Sequence, residues 1–435
     1  MSGITHLVNI MKLPKFVHVK QYFPHNELSE DEIKNIIAEN FKRPEIKNTI
    51  KPGQRICITS GSRGVSNIVV ITRAVVDNVK ALGAKPFIIP AMGSHGGATA
   101  EGQKGILEGY GITEETMGCP IISSMETVKI GHAKEIDVDV QMDKNAYEAD
   151  GIIVLNRIKA HTGFKGKYES GLMKMMTVGL GKQAGAYVAH VAGDDFMPER
   201  IFSISSEIIR KANIIFGIGL MENAFDKTYK IAFLEANEIP VKEPELLNEA
   251  KAAMGKIFLD ACDVIILEKI GKNYSGGGMD TNVVGRSRLP IGIKSEMGRV
   301  IISISERMGI FELSEESHGN ATGMGRADVA TMKFFHQISF DDTYPNAITD
   351  HDSSVYKIPL IAENELECIQ TSMAICLHMD VNNPKILILK NSLEIEDILI
   401  SEAMIDEAKT REQLTIIGEP FDLEFDKDGN LLTKF

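Results

Sequence analysis

Five stretches of the chain carry side chains whose types and spacing suit chemistry. Ser60-Gly61-Ser62-Arg63-Gly64 sets small residues beside a guanidinium. Small residues let the backbone approach an anion, amides at the start of a following helix point toward it, and Arg63 offers two parallel donors to a carboxylate or phosphate. The plain alternative is a glycine turn with a solvated arginine. His95, in Gly93-Ser94-His95-Gly96-Gly97, and His161, after Asn156-Arg157-Ile158-Lys159-Ala160, both fall in loops. An imidazole with its ordinary pKa near ~6.5 gives or takes a proton at neutral pH. Two of them converging on one cleft would suit a reaction served from opposite faces of one carbon. Taken singly, each is more readily a loop histidine with a structural hydrogen bond.

Lys174 sits in Gly171-Leu172-Met173-Lys174-Met175-Met176, where an ammonium must reach water, find a partner or shift toward neutrality. Neutralised lysines in apolar pockets are nucleophiles and attachment points for cofactors, although a lysine at a helix edge reaching water is the commoner case. His190, in Ala189-His190-Val191 ahead of Gly193-Asp194-Asp195, becomes a metal ligand only if most other donors come from a cofactor. Otherwise it is a satisfied core histidine. His318, His336, His351 and His378 show no ligand spacing.

These residues need a frame, and strand and helix signals alternate from residue 55 onward. A β-rich run at 55–59 ends in the Ser60–Gly64 loop, helical apolar spacing follows over 67–82, and 86–90 is the next strand. That strand opens into the His95 loop ahead of a helix near 100–109. Both strands end in glycine-containing loops, where open α/β sheets bind ligands. Residues 151–155 form an apolar strand leading toward His161. Helices are expected over 170–180 and 199–211, and strands at 214–221 and 230–234 as a hairpin or neighbours. Earlier, a helix at 30–41 starts from Ser29 as N-cap, within a mixed first ~50 residues. A helix at 244–258 leads to a strand at 264–268 and to Ser275-Gly276-Gly277-Gly278. A strand at 300–304, helices at 327–335 and 363–376, and a strand at 386–389 follow. The expected fold class is α/β: two α/β domains, 1–259 and 260–435, with a ligand cleft between them, and with the last ~20 residues available to pack back on the first.

Composition bounds the function. Apolar residues make up 43% and charged residues 25%, the values of a soluble globular chain. A net charge of −13 offers no basic face for counterion release, so nucleic acid is not an expected partner. Apolar runs such as 214–221 are far shorter than a membrane span, and the start lacks the pattern of a secretory signal. Neither a membrane nor export is expected. Cys57, Cys119, Cys262, Cys368 and Cys376 form no CxxC pair, which argues against a zinc ribbon or iron–sulfur pattern and for a reducing compartment, the cytoplasm. The absence of an HExxH pair ranks a zinc hydrolase last.

Arg63, His95, His161, Lys174 and His190 together resemble the functional set of the nickel-dependent lactate racemase family. Gly93-Ser94-His95 is similar to that family's small-residue loop with its first catalytic histidine. His161-Thr162-Gly163-Phe164-Lys165-Gly166 resembles its second histidine with the small and aromatic loop that follows. Gly171-Leu172-Met173-Lys174 resembles the segment of the cofactor lysine, and the interval from Lys174 to His190 matches the family's interval from that lysine to the nickel-binding histidine. The resemblance covers 55–222 and is thinner beyond. It implies an isomerase, a racemase or epimerase that inverts C2 of a 2-hydroxy acid by proton-coupled hydride transfer to a covalently attached nickel-pincer nucleotide. In that ligand, derived from a pyridinium mononucleotide, two sulfurs and one carbon hold the nickel. Lys174 would be its covalent anchor through a thioamide and His190 the nickel ligand. His95 and His161 would be the paired acid and base, Arg63 the carboxylate clamp, and Ser60, Gly61 and Ser62 would border the cofactor. The cofactor would carry the hard step, because the C2 hydrogen is too weakly acidic for a histidine to remove alone. The implied partners are the small-molecule 2-hydroxy acid and the cofactor-synthesis proteins, with a homo-oligomer allowed.

The chain also departs from the family. Ser60 replaces an acidic residue ahead of the arginine, and the interval from His161 to Lys174 is a few residues longer. Met279-Asp280-Thr281-Asn282-Val283 resembles a family Leu-Asp-Gln-Asn stretch, which puts Gly285 and Arg288 on glutamine and lysine positions near the substrate. An arginine presents a planar fork where a lysine presents a point charge. The expected substrate is therefore a larger or second-carboxylate-bearing hydroxy acid received by Arg286 or Arg288, with Lys272 or Arg288 closing over the cleft. The alternative, of another class, is a non-catalytic nucleotide- or metal-binding protein that retains the fold.

Overall fold

Three runs rich in branched aliphatic residues, Arg55–Ser60, Gly151–Arg157 and Ile214–Glu222, are buried along almost their whole length. A parallel sheet covered by helices on both faces requires this pattern. They form such a sheet in the computed structural model, which describes residues 3–286, 304–350 and 353–435. The strand order is Lys85–Pro90, Arg55–Ser60, Gly151–Arg157, Ile214–Glu222, Thr228–Glu235. The first four run parallel and the last is antiparallel, so the pair expected at 214–221 and 230–234 is a hairpin.

Side chains alternate between two cores. Ile56, Ile58, Ile153 and Leu155 meet Ile33, Ile37 and Phe41 of helix Glu30–Lys42 and Ile71, Val75 and Val79 of helix Ile68–Ala81. Cys57, Ile152 and Val154 belong to the other core, with Leu172, Met173 and Met176 and with Ile201, Ile204 and Ile208 of helix Met197–Lys211. The period of two along the strands and of three to four along the helices carries both faces. Ser29 begins its helix through a capping box: its side chain accepts from the Glu32 amide, and its own amide donates to the Glu32 carboxylate at 2.8 Å.

The chain divides into two compact units, His25–Met254 and a second built from Met1–Pro24 with Gly255–Phe435. The division thus falls at Gly255 rather than 260, and the first 24 residues join the C-terminal unit. The reason is strand Phe16–Gln21, which pairs antiparallel with both Asp397–Ser401 and Leu414–Phe421. Among the described residues its sheet runs Leu360–Ala362, Val329–Thr331, Ser305–Leu313, Cys262–Ile270, Ile386–Leu389, Asp397–Ser401, Phe16–Gln21, Leu414–Phe421. The last residues pack within this same unit, where Leu431 is buried beside Phe16, Val264 and Phe311. All five cysteines are free thiols.

Other elements differ from expectation. The helix expected at 327–335 is strand Val329–Thr331 followed by helix Met332–His336, because Val329-Ala330-Thr331 pairs with the neighbouring strands. The helix placed at 244–258 is Ile239–Ala253, with one proline in its first turn and Pro244 inside. Of the strand expected at 300–304, residues 300–303 lie outside the described residues, and strand Ser305–Leu313 follows them. The helix expected over 170–180 is a short turn, Leu172–Lys174, that widens into a π-helical stretch at Met175–Gly179. Such widenings recur at functional sites. A hairpin, Thr127–Ala133 with Val138–Asp143, was not foreseen.

Candidate active site

Parallel strands bring their carboxyl ends to one edge of a sheet. In the His25–Met254 unit, Arg55–Ser60, Lys85–Pro90 and Gly151–Arg157 open at that edge into the segments bearing Ser60–Gly64, His95 and His161. The first two meet directly: the Ser62 hydroxyl is hydrogen-bonded to His95 Nδ1, and the Tyr110 hydroxyl donates to the Ser62 carbonyl at 2.9 Å. The His95 loop is pressed onto the helical segment beyond. At Gly93, with φ +61°, a Cβ would stand 3.0 Å from Val178 Cγ1 and 3.2 Å from Ala186 Cβ, so a side chain there would be both strained and crowded.

His161 accepts at Nδ1 from the Gly163 amide at 3.0 Å and stacks on Phe164 with ring centroids 4.0 Å apart. A neutral ring that accepts at Nδ1 carries its proton on Nε2. The loop itself is held by the fully buried side chain of Glu169, which accepts from the amides of His161 at 2.7 Å and Gly166 at 3.0 Å and pairs with Lys251 at 2.7 Å. Lys174 Nζ lies 5.3 Å from the centre of the same Phe164 ring, within cation–π range. Asn156 Nδ2 donates to the Gly171 carbonyl at 2.8 Å and ties the end of the strand to the Lys174 turn. His190 is exposed at the end of helix Lys182–His190. The segment after it returns to the His161 loop, since a Cβ at Gly163 would stand 3.1 Å from Asp194 Oδ2.

The Ser60–Gly64 loop differs in one respect from its expected role. Helix Ile68–Ala81 begins several residues on, and the Ser66 amide ahead of it donates to Glu222 at 2.7 Å. Glu222 is also paired with Arg157. An anion at this loop would meet Arg63, which is exposed, and the serine hydroxyls rather than that amide. Ser60 Oγ is buried and has no hydrogen-bond partner among the described residues. Among those residues no three His, Cys, Asp or Glu side chains cluster as a metal site, so a metal at His190 needs other donors.

In the other unit, Lys272 Nζ donates to Asn346 Oδ1 at 3.0 Å. Arg286 donates to Asp328 at 2.6 Å and to the Glu306 carbonyl at 2.9 Å, so a substrate carboxylate would have to compete with Asp328. Arg288 lies outside the described residues.

Glu243 escaped sequence reasoning because a glutamate inside a helix pattern carries no signal of burial. It is almost wholly buried, accepts from the Met173 amide at 2.9 Å, and occupies the space where a Cβ on Gly171 would fall. It thereby holds the first turn of the Lys174 segment, an end where helix amides favour a carboxylate. Burial pushes its pKa up to about 7 despite those amide bonds. The folded state then keeps a proton that the unfolded chain releases, so stability falls as pH rises from about 4.5 to about 7. Glu243→Gln removes this loss. The variant should gain about 3 kcal/mol relative to the parent between pH ~4.5 and ~8 in denaturant unfolding. A constant difference across that range would refute the assignment.

Residues 7–193 match the lactate racemase N-terminal domain family. Over those residues the chain is similar to that family's N-terminal domain. The match spans every candidate residue from Ser60 to His190. No curated protein matches the chain. Among solved structures it is similar to the lactate racemase apoprotein from Thermoanaerobacterium thermosaccharolyticum, at 13% identity and a TM-score of 0.54, over 87% of this chain and 99% of that one. The two share an α/β fold. Among the described residues no helix is long and apolar enough to cross a membrane.

Proposed function

We propose that this lactate racemase-like chain inverts C2 of a 2-hydroxy acid larger than lactate or bearing a second carboxylate, and that it works with a nickel-pincer nucleotide. The observation that carries the reading is the Phe164 ring, which packs against His161 on one hand and Lys174 on the other. It sets an imidazole and a lysine side chain against one aromatic ring, inside the matched domain.

The residues suit the nucleotide. Lys174 supplies an amine for covalent attachment, His190 an exposed imidazole for the metal, and Ser60 a buried hydroxyl in need of a partner. The chemistry the nucleotide supplies when bound is transfer of the C2 hydrogen with its electrons, which no imidazole performs on so weak an acid. The protein's part is orientation and proton management. Arg63 grips the substrate carboxylate through its planar fork, beside the small residues Gly61 and Ser62. His161 presents a proton on Nε2 to the substrate oxygen. His95 has a hydroxyl at Nδ1 that both donates and accepts, so its Nε2 can be bare or protonated, as a base that becomes an acid must be.

The test is intact mass and metal analysis of protein produced together with cofactor-synthesis proteins, then racemisation assays over a panel of 2-hydroxy acids, dicarboxylic ones included. Expected are a covalent mass increment, stoichiometric nickel and loss of optical activity with at least one panel member. A loaded protein inert toward the whole panel would favour a binding role. A protein with neither increment nor activity would overturn the proposal.

A further inference from the structure

Beneath the His95 loop lies a polar cluster that the reaction above does not use. Lys182 is fully buried; its ammonium donates to the Pro90 carbonyl at 2.5 Å and to Gln103 Oε1 at 3.1 Å, with Asp143 at 3.3 Å. Gln103 is equally buried and donates through Nε2 to the carbonyls of Gly93 at 2.8 Å and His95 at 3.2 Å. Asp143 is buried too and accepts from the Ala146 amide at 3.0 Å. One ammonium and one amide therefore grip three carbonyls of the segment that ends in His95.

This arrangement is an expensive way to hold a fold. A buried ion pair adds little net stability over apolar residues of similar size. Lys182 also adopts φ +53°, the left-handed region that residues with a Cβ enter at a cost. What the cluster does provide is a geometric link. Lys182 begins the helix that ends in His190, so one residue is joined to the His95 loop by hydrogen bonds and to His190 by a rigid helix.

We infer that Lys182, acting through Gln103 and balanced by Asp143, is a positioning residue that sets the His95 imidazole relative to the helix bearing His190. The inference rests on the racemase reading of the same site, and its test separates the two.

Lys182→Met leaves Asp143 without a counter-charge and risks the fold, so Gln103→Leu is the deciding variant; it removes the grip on Gly93 and His95 and keeps the ion pair. Ile204→Val, at a buried position of helix Met197–Lys211 in the same unit, controls for loss of stability alone. Two readouts need no cofactor: hydrogen exchange of the amides of residues 91–98, and the His95 ring signals by NMR. In Gln103→Leu exchange there should quicken by about tenfold or more, and the His95 signals should shift. In loaded enzyme kcat should fall about 10²-fold while KM stays within about threefold, the mark of misplaced rather than lost binding. Unchanged exchange and ring signals, with kcat no lower than in Ile204→Val, would overturn the inference. If the loaded parent racemises nothing, the racemase reading fails, and exchange with the ring signals still decides whether the cluster positions His95.

Discussion

Lys174→Ala should yield a folded protein that carries no covalent nucleotide and has lost racemisation by ~10⁴-fold or more, the scale on which loss of a covalent group acts. The side chain is only half-buried, and the contact with Phe164 is worth about 0.5–1 kcal/mol at such a site. Alanine suits the short helical turn, so circular dichroism should be unchanged. What disappears is the amine. Lys174→Arg should fail as completely, because a guanidinium keeps the charge but cannot take lysine's place in a thioamide. The pair of variants thus separates attachment from charge. Intact mass reads attachment, and chiral chromatography of the 2-hydroxy acid reads activity. A nucleotide mass increment that persisted in either variant would move the anchor elsewhere.

The second large effect belongs to the histidines. His95→Ala and His161→Asn should each lower kcat by about 10²–10⁴-fold, the usual contribution of a positioned acid or base. Asparagine at 161 keeps an acceptor for the Gly163 amide, so its loss reports on proton transfer more than on loop collapse. Two enantiomers have equal free energy, and kcat/KM must therefore fall by one common factor whichever of them is supplied. Progress curves started from each enantiomer check both the size and the equality. A fall of less than about tenfold at either position would remove that histidine from the proton-transfer pair.

Much of the His25–Met254 unit was legible in the sequence because its signals are local. The Ser29 cap, the apolar period of Ile68–Ala81 and the glycine loops after the strands each lie within a few residues of what they specify. Strand Phe16–Gln21 was invisible for the opposite reason: its partners lie at the far end of the chain, and nothing within it announces them. Val329-Ala330-Thr331 reads as part of a helix until neighbouring strands claim it. At the site, Ser62 and His95 belong to separate motifs, and their hydrogen bond became apparent only in three dimensions. Lys174 drew notice as a cation among methionines. Glu169, Glu243 and Lys182 did not, since tertiary packing rather than sequence neighbourhood buries them.

The placement of Phe16–Gln21 has a consequence for biosynthesis. Gln21 bonds to the Ile395 carbonyl across 374 positions. At ribosomal speeds of about 5–20 residues per second, this early strand waits about 20–75 s for its partners to be made. The intervening unit, continuous in sequence, can fold meanwhile. The nascent chain thus passes through a period in which this strand is made but unpaired, the moment at which a chaperone or a fused tag would have most influence on yield.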